Sequence, residues 1–147
     1  MASRNVDALE DLYDHWARGD WEYLPSFYGD EFEWGWSEEF PGIAGVYSDT
    51  RSPNPRLRSW LSPWELWRCE VEDYLERGET VFVLTLYRGR GKGSGVQVDV
   101  DGAHVWRMRD GVALRLEVFA NRRTALESVG LSEPPAESAR RAATSES

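Results

Sequence analysis

From Trp67 to Phe119 the chain alternates apolar and polar residues with period two, interrupted only by short turn segments that carry glycine. A helix repeats near 3.6 residues and a strand repeats at two, so this stretch commits the chain to successive strands joined by hairpins. Four strands are read from it: WRCEVEDYLERG, ETVFVLTLYRG, GVQVDVDGAHVWRMR and GVALRLEVF. In the first, Cys69, Val71, Asp73 and Leu75 share one parity against Glu70, Glu72 and Tyr74. The second is apolar on both faces from Val81 to Tyr87, which predicts an interior strand. In the third, Val96, Val98, Val100, His104, Trp106 and Met108 share one face.

The last hairpin decides which side chains point inward. RMRDGVALR can turn on the two residues Asp110 and Gly111, or on the three residues Arg109 to Gly111 with Gly111 left-handed. The shorter loop places His104 opposite Glu117 and Trp106 opposite Arg115. The longer one places His104 opposite Leu116, Trp106 opposite Leu114 and Met108 opposite Val112. Only the longer loop gives one continuous apolar face, and a buried face fixes register strongly, so the longer loop and an inward His104 are predicted.

Upstream the pattern is helical. Val6, Leu9, Leu12, Tyr13, Trp16 and Ala17 recur at three and four, with Asn5 placed as a cap and Gly19 as a stop. A second short helix is predicted from about Trp21 to Tyr28, capped by Asp20 and bent by Pro25. EFEWGW then puts Phe32, Trp34 and Trp36 on one face of a strand. Ser37 to Pro55 is an irregular segment, followed by a helix from Pro55 to Leu61 and a turn at Ser62 and Pro63. After the strands, Arg122 to Val129 forms a last short helix. Residues 1–131 are read as one domain and 132–147 as a disordered tail, because SEPPAESARRAATSES offers almost nothing to bury. Helices first and a long antiparallel meander after them make an α+β domain.

Composition removes several functions. A net charge of −9 argues against a nucleic-acid partner, which needs a basic face, and RGRGKGSG lacks both the ending and the following helix of a phosphate loop. One cysteine and two histidines leave no internal disulfide and no metal constellation. The opening MASRNVDALED has no signal-peptide pattern and no stretch is apolar enough to span a bilayer, so a cytoplasmic protein with no membrane partner is expected.

Two titratable residues then stand out. His104, on an apolar face between Trp106 and Leu116, is desolvated; that favours a neutral ring able to exchange a proton near pH 7, or a core histidine satisfied by a carbonyl or hydroxyl. Asp73 shares the parity of Cys69 and Leu75. It is either an inward carboxylate that orients His104 or acts as a base, or a residue near the strand's end where the sheet meets water. Trp34, Trp36 and Trp106, with Met108, Leu116 and Val118, line the inferred inner face. They form either a pocket for a flat hydrophobic ligand or ordinary core. Trp60, Trp64 and Trp67 pack the short helix on the sheet or cap the mouth of such a pocket.

The run from Val6 to Leu131 resembles the SnoaL-like branch of the nuclear-transport-factor-2-like superfamily. The resemblance rests on ALEDLYDHWARGDWEYLPSFYGDEFEW, SPWELWRCEVEDYLERGETVFVLTLYRGRGKGSG and AHVWRMRDGVALRLEVFANRRTALESVGL. It implies a cone: a strongly curved sheet wrapped on the N-terminal helices, an apolar pocket within, no cofactor, and commonly a homodimer. It also implies that His104 holds the place where ketosteroid isomerases keep an oxyanion-stabilising acid. The isomerases' general base aligns with Trp36 and the polyketide cyclases' acid with Val118, both apolar here. A pocket protein for a small hydrophobic or aromatic molecule is the leading reading. Beside it stand a cofactor-free isomerase, cyclase or dehydratase using His104, and a non-catalytic dimerisation module.

Overall fold

The helix α1, Arg4–Ala17, buries Val6, Leu9, Leu12, Tyr13 and Trp16 on one side, as their spacing requires. It stops at Gly19, whose φ of +84° suits a residue without a Cβ. Asn5 lies inside the helix rather than capping it. Its Oδ1 accepts from Gly111 N at 2.8 Å and its Nδ2 donates to Glu76 Oε2 at 3.2 Å, which fastens α1 to two distant hairpins.

A computed structural model describes residues 4–21, 23, 27–37, 40, 45–47 and 55–130. After α1 come β1 (Tyr28–Trp36), β2 (Gly45–Tyr47), α2 (Pro55–Leu61), β3 (Trp64–Arg77), β4 (Thr80–Gly91), β5 (Gln97–Arg109), β6 (Val112–Phe119) and α3 (Arg122–Ser128). The strands form one six-stranded sheet in the order β2-β1-β6-β5-β4-β3. β3 to β6 are the predicted antiparallel meander, while β1 adds to β6 in parallel and carries β2 on its free edge. The helix expected from Trp21 to Tyr28 lies partly outside the described residues, and Tyr28 already belongs to β1. Asp20, expected to cap that helix, instead pairs with His15 Nδ1 at 2.8 Å. Most of Ser37 to Pro55 and the tail from Ser132 lie outside the described residues.

The sheet is apolar on both faces, giving the α+β cone its two layers. On the inner face the buried stripe of α1 shares one core cluster with Phe32, Trp34, Val81, Val83, Trp106 and Leu116. On the outer face Leu75, Phe82, Leu84, Ala103, Val105 and Phe119 are covered by Ala125 and Leu126 of α3. Asn121 caps α3 by accepting from Thr124 N. Arg122 ties that helix down by donating to the carbonyls of Gly102 and Thr85 and to Glu72.

Bulges bend the sheet and reset its parity. The β5–β6 hairpin turns on Asp110 and Gly111, with Arg109 paired to Val112 and both turn residues at positive φ, 52° and 83°. The predicted three-residue loop is therefore incorrect: Asp-Gly supplies the left-handed pair that a two-residue turn needs. An extra residue, Leu114, then shifts the register between Arg107 and Met108. His104 faces Val118 and Trp106 faces Leu116, so the apolar residues return to one face by a different device. In β3 a second bulge at Glu72 reverses the parity downstream: Cys69 pairs with Tyr87 on the inner face, whereas Asp73 pairs with Leu84 on the outer one. Among the described residues no helix is long and apolar enough to cross a membrane.

Candidate functional site

His104 stands at the centre of β5 on the inner face, 1% exposed. Both ring nitrogens are taken. Nδ1 lies 2.5 Å from the Tyr13 hydroxyl of α1, and Nε2 is hydrogen-bonded to the Tyr87 hydroxyl of β4. Trp106 Nε1 donates to the same Tyr13 oxygen at 2.8 Å, so the Tyr13 proton is directed to His104 Nδ1. With the ring neutral, the remaining ring proton sits on Nε2 and faces Tyr87, whose hydroxyl lies beside the buried Cys69 thiol. Trp106, Tyr13, His104 and Tyr87 thus form one buried hydrogen-bonded chain.

Burial holds that chain neutral. It lowers the His104 pKa to about 3 and raises the Tyr13 and Tyr87 hydroxyls and the Cys69 thiol above their ordinary ranges. A ring in this state does not carry a proton near pH 7. Asp73 does not orient it. The bulge at Glu72 sends that carboxylate to the opposite face, where it is 4% exposed and Oδ1 accepts from Tyr74 N at 2.9 Å. Parity counted across the bulge was the source of the error.

The other six inner-face candidates divide into two groups. Trp106, Met108 and Leu116 are completely buried in the layer under α1, with the Trp106 ring between Phe27 and Phe32 at 5.9 and 6.1 Å. Trp34 and Trp36 belong to an aromatic arc at the other end of the face. Trp34 meets Trp36 at 5.4 Å, Trp36 meets Phe40 at 5.1 Å, and Phe40 meets Trp60 of α2 at 5.7 Å. Trp60 meets Trp67 at 5.7 Å and Trp67 stacks on Tyr87 at 5.3 Å, so the arc closes on the residue that holds His104. Val118 joins the groups, paired with Trp36 on one side and His104 on the other. Gly89 provides a floor. A Cβ there would stand 2.7 Å from the Trp67 ring, so the bare backbone lets Trp67 and Trp64 lie against β4.

Tyr13, Tyr87 and Phe40 were not singled out from the sequence. Tyr13 lay on the α1 stripe and Tyr87 shares the parity of Val81 and Val83, so both were legible as inward residues, though not as partners of His104. A separate open groove of about 610 Å³, lined by Gly29, Glu31, Val112 and Leu114, lies at the β1–β6 end away from His104. Among the described residues no group of three or more His, Cys, Asp or Glu side chains is placed to hold a metal ion.

Known proteins give this geometry a setting. TerC, co-crystallised with polyporic acid, superposes with a TM-score of 0.70 at 24% identity over 85% of this chain and 97% of its own. An NTF2-like protein from Burkholderia thailandensis gives 0.68 at 23% identity over 81% and 91%. A putative SnoaL-like polyketide cyclase from Jannaschia gives 0.60 at 17% identity over 90% and 94%. At these identities the likeness is one of fold. No curated protein matches the chain. The family model for the SnoaL-like domain matches residues 9–116, a span that takes in most of α1, the arc and His104. The chain belongs to the SnoaL-like domain family.

Proposed function

We propose that this chain binds a small, flat, hydrophobic molecule in the aromatic arc between β1, α2 and β3. The observation that carries the reading is the arc itself: Trp34, Trp36, Phe40, Trp60, Trp64 and Trp67 in successive ring contact, ending on Tyr87. Aromatic walls with few polar groups suit planar ligands, which gain area and ring contacts together. TerC's co-crystal with polyporic acid and the cyclase naming of the Jannaschia relative support the reading by analogy of fold. His104 serves in it as a neutral hub that fixes Tyr87 at the arc's end. Acid–base catalysis by His104 is the weaker reading, because both nitrogens are engaged and the ring stays neutral. A homodimer belongs to the same proposal, and a monomeric mass in solution at micromolar concentration removes that part.

The test is titration of the full chain with planar polycyclic hydrocarbons, followed by tryptophan fluorescence. Saturable quenching is expected, lost when Trp36→Ala opens the arc and kept when the exposed Val96→Ala is made. Failure of every planar compound to saturate, up to its solubility, overturns the reading.

A further inference from the structure

Two files of aromatic rings run inward and end on either side of His104. In one, the half-buried Trp21 stacks on Trp16 at 5.4 Å, and Trp16 meets Tyr13 edge-on at 5.2 Å. In the other, the half-buried Trp64 meets Trp67 at 4.7 Å, and Trp67 stacks on Tyr87 at 5.3 Å. Among aromatic side chains, indole and phenol give up an electron most readily, and transfer between rings is fastest when they touch. Protons then decide where the vacancy comes to rest. An oxidised indole or phenol is a strong acid, stabilised where a base is already hydrogen-bonded to its proton.

Trp21 and Trp106 lack such a base: they donate to the Trp67 carbonyl and to the Tyr13 oxygen, neither of them basic. Nε1 of Trp34, Trp60 and Trp64 has no hydrogen-bond partner among the described residues. Tyr13 differs. Its proton is directed to His104 Nδ1 at 2.5 Å, while the Trp106 N–H holds the same oxygen from another side. Tyr87 faces the protonated Nε2 and so has no free ring lone pair before it. Tyr23 does have a base, Asp11 Oδ2 at 2.5 Å, but that pair lies at the surface.

We propose that Tyr13 is a one-electron redox site, with His104 as its proton acceptor and the two ring files as routes for the electron. The co-reactant is a strong one-electron oxidant at the surface, such as a trivalent metal polypyridyl complex. The oxidant gains one electron, and Tyr13 becomes a neutral phenoxyl radical. Its hydroxyl proton crosses the existing hydrogen bond to Nδ1, which makes His104 an imidazolium. One electron from a reductant such as ascorbate reverses the step, and the proton returns to the Tyr13 oxygen. Burial keeps His104 neutral towards water and towards the intact phenol, but the oxidised phenol is a far stronger acid. Nor is the imidazolium left bare: its two N–H groups point at the Tyr13 and Tyr87 oxygens. The site needs no bound molecule in the aromatic arc, so it stands or falls apart from the ligand reading.

Photolysis of ruthenium(II) tris-bipyridine with a cobalt(III) ammine as electron acceptor generates the ruthenium(III) oxidant beside the full chain. Samples frozen after the flash are read by high-field electron paramagnetic resonance. The expected persistent product is a tyrosyl radical, whose signal narrows with ring-deuterated tyrosine and not with deuterated tryptophan. It should show couplings to two exchangeable protons, those of His104 Nδ1 and Trp106 Nε1, which vanish in D₂O. Tyr23→Phe should leave the signal unchanged and Tyr13→Phe should abolish it. His104→Gln keeps hydrogen-bonding groups but supplies no base; it should lower the tyrosyl yield by about tenfold or more, the worth of one hydrogen bond to a charged group. A tryptophanyl radical as the persistent species overturns the proposal, and so does a tyrosyl radical without the two exchangeable couplings. A signal that survives Tyr13→Phe does the same. The first two outcomes are read on the unaltered chain, whatever the fate of the variants.

Discussion

Lowering the pH tests the His104 network directly. The ring's pKa falls from 6.5 to about 3 on folding, through burial. Above pH 6.5 the imidazole is neutral in both the folded and unfolded chain, so it adds no pH dependence. Below that value the unfolded chain takes up a proton that the folded chain refuses, and stability falls with pH until the folded ring also protonates near pH 3. At about 1.4 kcal/mol per unit, going from about pH 7.5 to about pH 5 removes roughly 2 kcal/mol, and reaching pH 3 removes roughly 5 kcal/mol. Urea denaturation of the native chain and of His104→Gln at the two higher pH values isolates this contribution. The amide keeps one donor and one acceptor for the tyrosines but does not titrate, and the carboxylate background cancels in the difference. The native chain should lose about 2 kcal/mol more than the variant. Equal losses, to within about 0.5 kcal/mol, would refute the buried neutral hub. So would an imidazole resonance of His104 that titrates with a midpoint near 6.

Other perturbations test the frame around it. Deleting Leu114 removes only the extra residue of the β6 bulge and leaves Trp106 opposite Leu116 and His104 opposite Val118; the expected result is a retained dispersed amide spectrum, and its loss would contradict this register. Gly102→Ala places a Cβ 2.6 Å from the Phe119 carbonyl oxygen, a backbone atom, and should destabilise by about 1–3 kcal/mol in urea denaturation. Tyr13→Phe leaves the Trp106 N–H without its acceptor and His104 Nδ1 without its donor. Its expected cost of about 2–4 kcal/mol is read from the urea midpoint, and a change under about 0.5 kcal/mol would contradict the hydrogen-bonded chain.

Periodicity carried the sequence reading as far as single elements. α1, α2, α3 and β3 to β6 were legible because each buries one face and writes that face into its spacing. The bulges were not. An inserted residue such as Glu72 leaves the local alternation intact and only changes what the count means beyond it, which is how Asp73 was placed on the wrong face. At Leu114 the same blindness was harmless, because a longer turn and a bulge return the same parity. The inward His104 was legible from its strand, whereas its partners were not, since Tyr13 and Tyr87 lie 91 and 17 positions away. Nor does period two say whether a neighbouring strand runs parallel, so the place of β1 beside β6 came only from the structure. Of the arc, Trp34 and Trp36 could be read from alternation. Phe40 falls in a segment with no period at all.

That parallel pairing has a kinetic consequence. Glu33 meets Arg115 across 82 positions, and every other pairing of β1 with β6 spans a comparable length. The meander from β3 to β6 can assemble by successive hairpins of low sequence separation, but β1 has only the three-residue β2 as a local partner until β6 exists. During synthesis Phe32, Trp34 and Trp36 therefore emerge early and wait for most of the chain to follow. Refolding should be limited by the docking of this N-terminal strand onto a meander already formed. In that interval a strand edge bearing three large aromatic residues is open to other chains, and the aggregation hazard of this fold is concentrated there.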